Sequence, residues 1–323
     1  YILIPTNRLN RLLTKFYLSY NVLERYTEPR KYFMKSKNKD EVAVRKIHEK
    51  ILEVYPFLTK AERDIFEKRT GIYLESLSNN KKTNGENTVS NILALLKNPH
   101  AGIKEWHKPD KEFMKRVKPE RIPRFSIENR ILMIKIPSWS MWLGPIDKKL
   151  VSFCVRNKSK YDSILIDVRE NGGGNSQYAH DFAGIFFKKT VIYGKVTRRN
   201  KSSRLNTEIS RLEPNKTIFI GKPIVILISN KCFSSNELFL APFKVSKRAT
   251  LIGQATAGGS ANPTSEIVKI SGKKFVVRVP TYRFFLKGKR QPIEKTKIDP
   301  DVVYKGRDIE GFAKNYLKKG EKK

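Results

Sequence analysis

GKPIVILISNKCFSSNELFLA, residues 221–241, holds the junction on which the fold turns. Pro223 to Ser229 is a short apolar run rich in Ile and Val, the composition of a fully buried strand. Asn230, Lys231 and Cys232 break the run. From Ser234 on, Leu238, Phe239 and Phe243 fall on one helical face, with Asn236 and Glu237 in the first turn. A strand that turns into a helix at a serine places that hydroxyl near the positive end of the helix dipole. The backbone N–H groups there have no partners within the helix and can receive a developing oxyanion. An isolated serine at such a junction is most often a plain helix N-cap. Ser234 becomes a nucleophile only if a base, an orienting acid and an oxyanion hole lie elsewhere in the chain.

Working outward, the 323 residues suffice for one large domain with an appendage or for two domains. With 39% hydrophobic and 11% aromatic residues a sizeable core is expected, against global disorder. Sixty-six Lys and Arg against 31 Asp and Glu give a net charge of +35, a field that favours anionic partners such as polyanionic surfaces or acidic peptides. The basic residues are spread along the whole chain, without zinc-finger spacing, an RNP-type motif or a helix-turn-helix, so no specific nucleic-acid partner is expected. Cys154 and Cys232 show no metal or redox spacing, and a disulfide between them stays open. Cys232 stands two residues before Ser234 and must be weighed as a nucleophile, but the turn favours the serine. No apolar stretch reaches the ~18 residues needed to span a bilayer. The sequence begins at Tyr1 rather than Met, which leaves the removal of a leader or anchor open, and the absence of a signal peptide from it proves nothing.

Apolar residues at three-and-four spacing predict helices over Asn10–Tyr26, Asp40–Val54 and Thr59–Leu77, then over Thr88–Lys97, which stops at Asn98-Pro99-His100-Ala101-Gly102. Residues 104–124 are charged, contain three prolines and read as a linker. Strands are then expected at Arg130–Ile136, Ser163–Val168, Thr217–Ile220, Pro223–Ser229, Thr250–Ile252, Lys274–Pro280 and Thr281–Leu286. Helices are expected at Ile146–Val155 and Gln177–Phe187 and after Ser234. The organisation is thus a helical N-terminal domain over 1–97, a His-bearing turn and linker over 98–124, and an α/β core with a C-terminal helix over 125–323.

Asp167-Val168-Arg169-Glu170-Asn171-Gly172-Gly173-Gly174 closes one buried strand and opens a helix. Consecutive glycines let backbone approach a ligand closely. A phosphate-binding loop is disfavoured, because no Lys-Ser/Thr pair follows the glycines. A serine nucleophile needs a base within hydrogen-bond reach, and histidine is naturally poised for that near neutrality. The chain has four: His48, which reads as lying on a solvated helical face, His100, His107 in the charged linker, and His180 after the glycine loop. His100 and His180 are the competitors.

The order DVRENGGG (167–174), SSNE (234–237), GQATAG (253–258) and PIEKTKIDPD (292–301) resembles the tail-specific serine peptidases, the family that includes C-terminal processing peptidases, the tricorn protease core and retinoid-binding relatives. The resemblance covers about residues 88–303. It implies a ClpP/crotonase-like α/β core, Ser234 as nucleophile, a polypeptide substrate, an extracellular or cell-envelope location, and no metal or cofactor. The C-terminal processing branch uses a lysine base where this chain has Gly259. The tricorn-like branch uses a helix-end histidine and a late glutamate, positions that fall here on His100 and Glu294. That branch has a serine before the histidine, where this chain has Pro99, and the family's PDZ module is missing, since only about 30 residues separate His100 from the first core strand. The expected triad is Ser234, His100 and Glu294, with His180 as the alternative base and the N–H groups of Gly173 and Ser235 as the oxyanion hole. The alternative is a catalytically idle relative that binds peptides or apolar ligands in the same cleft.

Overall fold

The computed structural model describes residues 38–79, 84–107, 123–139, 152–200, 204–215, 219 and 221–320. The expected helix over Asn10–Tyr26 lies outside them, as do residues 217, 218 and 220 of the expected strand Thr217–Ile220. Of the expected helix Ile146–Val155, residues 152–155 are described and helical, and the helix runs on to 156. The described residues other than His107 fall in one compact unit.

Three helices come first: α1 (Lys39–Val54), α2 (Lys60–Asn79) and α3 (Gly85–Ala94). Asn38 caps α1 by accepting from the N–H groups of Asp40 and Glu41, and Asn84 caps α3 by accepting from Glu86. Their apolar faces do not close on themselves. Val44, Ile47, Ile51, Phe66, Leu74, Val89 and Ile92 share one core with Val268, Ile270, Phe275, Val277 and Val279 of the hairpin β9 (Thr264–Ile270) and β10 (Lys273–Val279). The helical segment, drawn from sequence as a domain of its own, is therefore built onto the later strands.

The stretch read as a linker also contributes strands at both ends. β1 (Gly102–Glu105) pairs antiparallel with β10, setting Gly102 opposite Arg278, and β2 (Arg124–Glu128) pairs with β3 (Ile131–Lys135). The main sheet has six strands in the order β12-β8-β7-β4-β3-β2, all parallel from β3 to β12, with β2 antiparallel at the edge. Here β4 is Ser163–Asp167, β7 Ile224–Ile228, β8 Thr250–Gly253 and β12 Val302–Val303. Side chains alternate across it as strand geometry requires. Ile164, Ile166, Ile224, Ile226 and Ile228 meet α4 (Ser176–Gly184) and α5 (Ser235–Ser246) on one face. Leu165, Val225 and Leu227 meet Ile309, Ala313 and Leu317 of α7 (Ile309–Gly320) on the other. Burial on both faces explains the unbroken apolar run at 223–229.

A second antiparallel sheet, β11-β5-β6, joins β5 (Val191–Arg199), β6 (Leu205–Leu212) and β11 (Tyr282–Leu286). A short helix, α6 (Ile293–Thr296), follows β11.

Candidate active site

β7 delivers its chain to Ser234 through a sharp turn, and α5 starts at the next residue. Ser234 holds φ 59° and ψ −125°, a left-handed-side conformation costly for any residue with a Cβ and found at nucleophile-bearing strand–turn–helix junctions. What keeps the turn in place is Glu237. Its fully buried carboxylate accepts from Ser234 N–H (3.2 Å), Thr256 Oγ1 (2.5 Å), Gly258 N–H (3.0 Å) and Gly259 N–H (2.7 Å). Ser234 N–H also reaches Gly259 O at 2.8 Å. Burial pushes the Glu237 carboxyl up to about 7, against the pull of these four donors. Sequence reading placed Glu237 in the first turn without a role; the Ser-x-x-Glu spacing of a capping box was the available signal.

His100 reaches the same point from the turn after α3. It is 4% exposed, its ring stacks on Phe233 with centroids 4.4 Å apart, and its Nε2 lies 2.9 Å from Ser234 Oγ. Burial, with a smaller effect from the Arg278 guanidinium, lowers the imidazole to about 4. The ring is therefore neutral near pH 7 and able to accept a proton. Its other nitrogen, Nδ1, is buried and has no hydrogen-bond partner among the described residues.

Glu294, on α6, enters the same region but makes no hydrogen bond to His100, contrary to the arrangement expected for the triad. Asn98 bonds to both residues: its Nδ2 donates to Glu294 Oε1 at 2.8 Å, and its Oδ1 accepts the His100 backbone N–H at 3.0 Å. Burial raises the Glu294 carboxyl, while Arg283 and the Asn98 bond oppose the rise. The signal for Asn98 was its place in the Asn-Pro-His run, which the sequence marks as a helix stop and, by resemblance, as the motif that carries His100, with no role for Asn98 itself.

The glycine loop packs against the Ser234 turn. A Cβ on Gly173, whose φ is +101°, would stand 2.8 Å from Ser234 Cβ and from Phe233 O, so only glycine fits. The Gly173 N–H, expected to face an oxyanion, instead donates to Asn171 Oδ1 at 2.9 Å, because the Asn171 side chain folds back over the turn. Ser235 N–H, in the first turn of α5, has no acceptor among the described residues, and Ser235 Oγ donates to Gly174 O at 2.7 Å. The Asp167-x-Arg169 part of the motif is a bidentate ion pair, 2.9 and 2.8 Å, that braces the loop.

The remaining candidates have other partners. His180 Nε2 lies 2.7 Å from Tyr193 OH, in a pair separate from Ser234. His48 is half-buried and stacks on Phe66, not on a solvated face as its helix suggested, and His107 is exposed. Cys154 and Cys232 are both free. Cys232 donates to Val168 O, and burial pushes its thiol up to about 12. No cluster able to hold a metal ion occurs among the described residues, and none of their helices is long and apolar enough to cross a membrane.

With the fold and this geometry in view, the chain belongs to peptidase family S41, whose profile spans residues 130–304, more than half of it. Ser234, Gly173 and Glu294 lie within that span and His100 outside it. Among proteins similar to it, the tricorn protease of Thermoplasma volcanium is 29% identical over 175 residues, which are 54% of this chain and 15% of the relative. The tail-specific protease of Haemophilus influenzae is 27% identical over 128 residues, 40% of this chain and 17% of the relative. The chain thus spans less than a fifth of the length of these curated relatives. Its fold is shared along most of its length with two solved structures. One, from Parabacteroides merdae, has TM-score 0.64 and 19% identity, covering 86% of this chain and 96% of that one. A lipoprotein from Streptococcus agalactiae has TM-score 0.60 and 20% identity, covering 92% and 99%.

Proposed function

We propose that the chain is a serine peptidase that hydrolyses polypeptides through an acyl-enzyme on Ser234. The observation that carries this reading is the 2.9 Å contact between His100 Nε2 and Ser234 Oγ at a strained strand–helix turn. Ser234 Oγ attacks the peptide carbonyl while His100 Nε2 takes its proton, giving a tetrahedral intermediate and an imidazolium. The oxyanion meets Ser235 N–H, with Gly173 N–H contributing as far as Asn171 shares it. The imidazolium then protonates the leaving amine, the C–N bond breaks, and water repeats the sequence on the ester. Glu294 supplies negative charge that favours the imidazolium. No step calls for a metal or cofactor.

A second reading, a catalytically idle relative that binds peptides or apolar ligands in the same cleft, draws on one observation: His100 Nδ1 has no acceptor among the described residues. A fluorophosphonate probe separates the two. Labelling of the wild type, lost in Ser234→Ala, together with peptide hydrolysis, supports the peptidase; peptide binding without labelling supports the binder and sinks the peptidase.

The +35 charge fits anionic surfaces as partners, and an extracellular or cell-envelope location accords with that and with the fold shared with the streptococcal lipoprotein. Nucleic-acid binding should be weak, blind to sequence and lost near physiological salt. Fractionation of expressing cells tests the location, and recovery of the protein in the cytosol alone would refute it.

A further inference from the structure

Asn98 stands two residues before His100, is 7% exposed, and touches two parts of the site at once. Its Oδ1 accepts from the His100 main chain and its Nδ2 donates to the Glu294 carboxylate. Pro99, between Asn98 and His100, has a fixed φ, so the path from one to the other has little freedom. Two buried atoms flank this bridge without hydrogen bonds among the described residues: His100 Nδ1 and Glu294 Oε2. Among the described residues, the hydrogen-bonded path from Glu294 to His100 therefore runs through Asn98.

We infer that Asn98 is a positioning residue: it couples the Glu294 carboxylate to His100 through the main chain and so sets the imidazole against Ser234. This inference rests on the peptidase reading of the site. The charged and titratable groups around the bridge come from three further elements. Tyr55 faces Glu294 from the corner after α1, Tyr282 and Arg283 face it from β11, and Arg278 acts on His100 from β10. Amid these groups a neutral amide donates to Glu294 without adding a second negative charge. An aspartate in its place would still accept the His100 N–H. It would also set a second carboxyl beside the first, and two such groups hold a proton between them.

The test compares Asn98→Ala, Asn98→Asp, Glu294→Gln and the double variant Asn98→Ala/Glu294→Gln, by kcat and KM across pH and by nitrogen-15 NMR of the imidazoles. Asn98→Ala is expected to lower kcat roughly a hundredfold with little change in KM, the effect of a misplaced catalytic group. If Glu294 acts through Asn98, the double variant is no slower than the slower single one. In Asn98→Asp the shared proton restores a donor at acid pH. Activity then approaches that of the wild type and falls as the proton leaves, a descending limb that the wild type lacks. Losses that multiply in the double variant, or an Asn98→Asp profile of wild-type shape, would overturn the inference. Should Asn98→Ala not fold, the Asn98→Asp profile still decides. If the wild type reacts with neither peptide nor probe, the peptidase reading has failed by itself. The His100 nitrogen signals then settle the coupling: they follow the shared proton in Asn98→Asp if it exists and match the wild type if it does not.

Discussion

Gly259 and Pro99 stand in contact across the site: a Cβ on Gly259 would lie 2.8 Å from Pro99 Cγ and 2.5 Å from Phe233 Cε2. Position 259 is where the C-terminal processing branch that the sequence resembles carries its lysine base. Here the ring of Phe233 fills that space and carries the His100 imidazole on its face. A side chain at position 259 would therefore have to displace Phe233, on which the His100 ring rests. Gly259→Ala should overpack the site and cost about 1–3 kcal/mol of stability, read from denaturant unfolding. Gly259→Lys in a His100→Ala background should remain inactive, and recovered peptide hydrolysis there would show that the lysine can be housed after all.

The second prediction concerns pH. Burial first, and Arg278 second, hold the His100 imidazole at about 4. A base is competent when unprotonated, so the ascending limb of kcat/KM should centre near 4, below the ordinary imidazole range. Arg278→Gln removes a cation and should move that limb toward higher pH. Stability follows with a defined sign. The folded pKa lies below the unfolded one, so the unfolded chain binds more protons between about 4 and 6.5. His100's contribution is complete above about 6.5 and is lost as pH falls through about 4. His100→Gln should flatten unfolding free energy across that window; an unchanged slope would argue against a buried neutral ring.

Legibility in the sequence followed burial. The runs Ile224–Ile228 and Ser163–Asp167 are covered on both faces of the sheet, so their apolar character was unbroken and their strand identity plain. β6 was missed because most of Leu205–Leu212 is exposed and carries polar residues on both faces, leaving no periodicity to detect. β1 was hidden by its four-residue length and its place in a charged stretch. At the site, the turn at Ser234 and the helix stop before His100 leave local marks, but preferring His100 to His180 took the family resemblance. Asn98, Asn171 and Glu237 act through bonds to backbone groups distant in sequence or folded back on their own turns, and residue type alone does not reveal those. The direct Glu294–His100 bond failed as an expectation for the same reason: spacing does not show that Asn98 donates to the carboxylate.

A third prediction follows from the corner after α1, where the helical segment meets the catalytic turn. Tyr55 OH donates to Leu96 O at 3.0 Å and accepts from Arg283 Nη2 at 2.5 Å, and Arg283 also pairs with Glu62 at the start of α2. Leu96 lies four residues before His100, so this tyrosine ties the helices to the proposed base. Tyr55→Phe keeps the ring and removes the hydroxyl, leaving Leu96 O without that donor in a buried place. The variant should lose about 1–3 kcal/mol of stability and show a lower kcat with KM little changed. A loss of stability with kcat intact would confine Tyr55 to the core.

The last prediction turns on the backbone of Ser234. At φ 59° and ψ −125° any residue with a Cβ is strained, by of order 1–3 kcal/mol, whereas glycine is not. The strain is held by the Glu237 carboxylate and by Gly259 O, which both accept the Ser234 N–H and do not involve the side chain. Ser234→Ala therefore removes the nucleophile and keeps the strain, while Ser234→Gly removes both. Both variants should be inert to fluorophosphonate and to peptide. Ser234→Gly should be the more stable of the two, although glycine also gains more freedom in the unfolded chain, which offsets about 0.5–1 kcal/mol of the relief. Denaturant unfolding of the pair reads the difference directly. If Ser234→Gly proved clearly the less stable, the turn would store little strain, and the seat of the nucleophile would owe its shape to the surrounding packing alone.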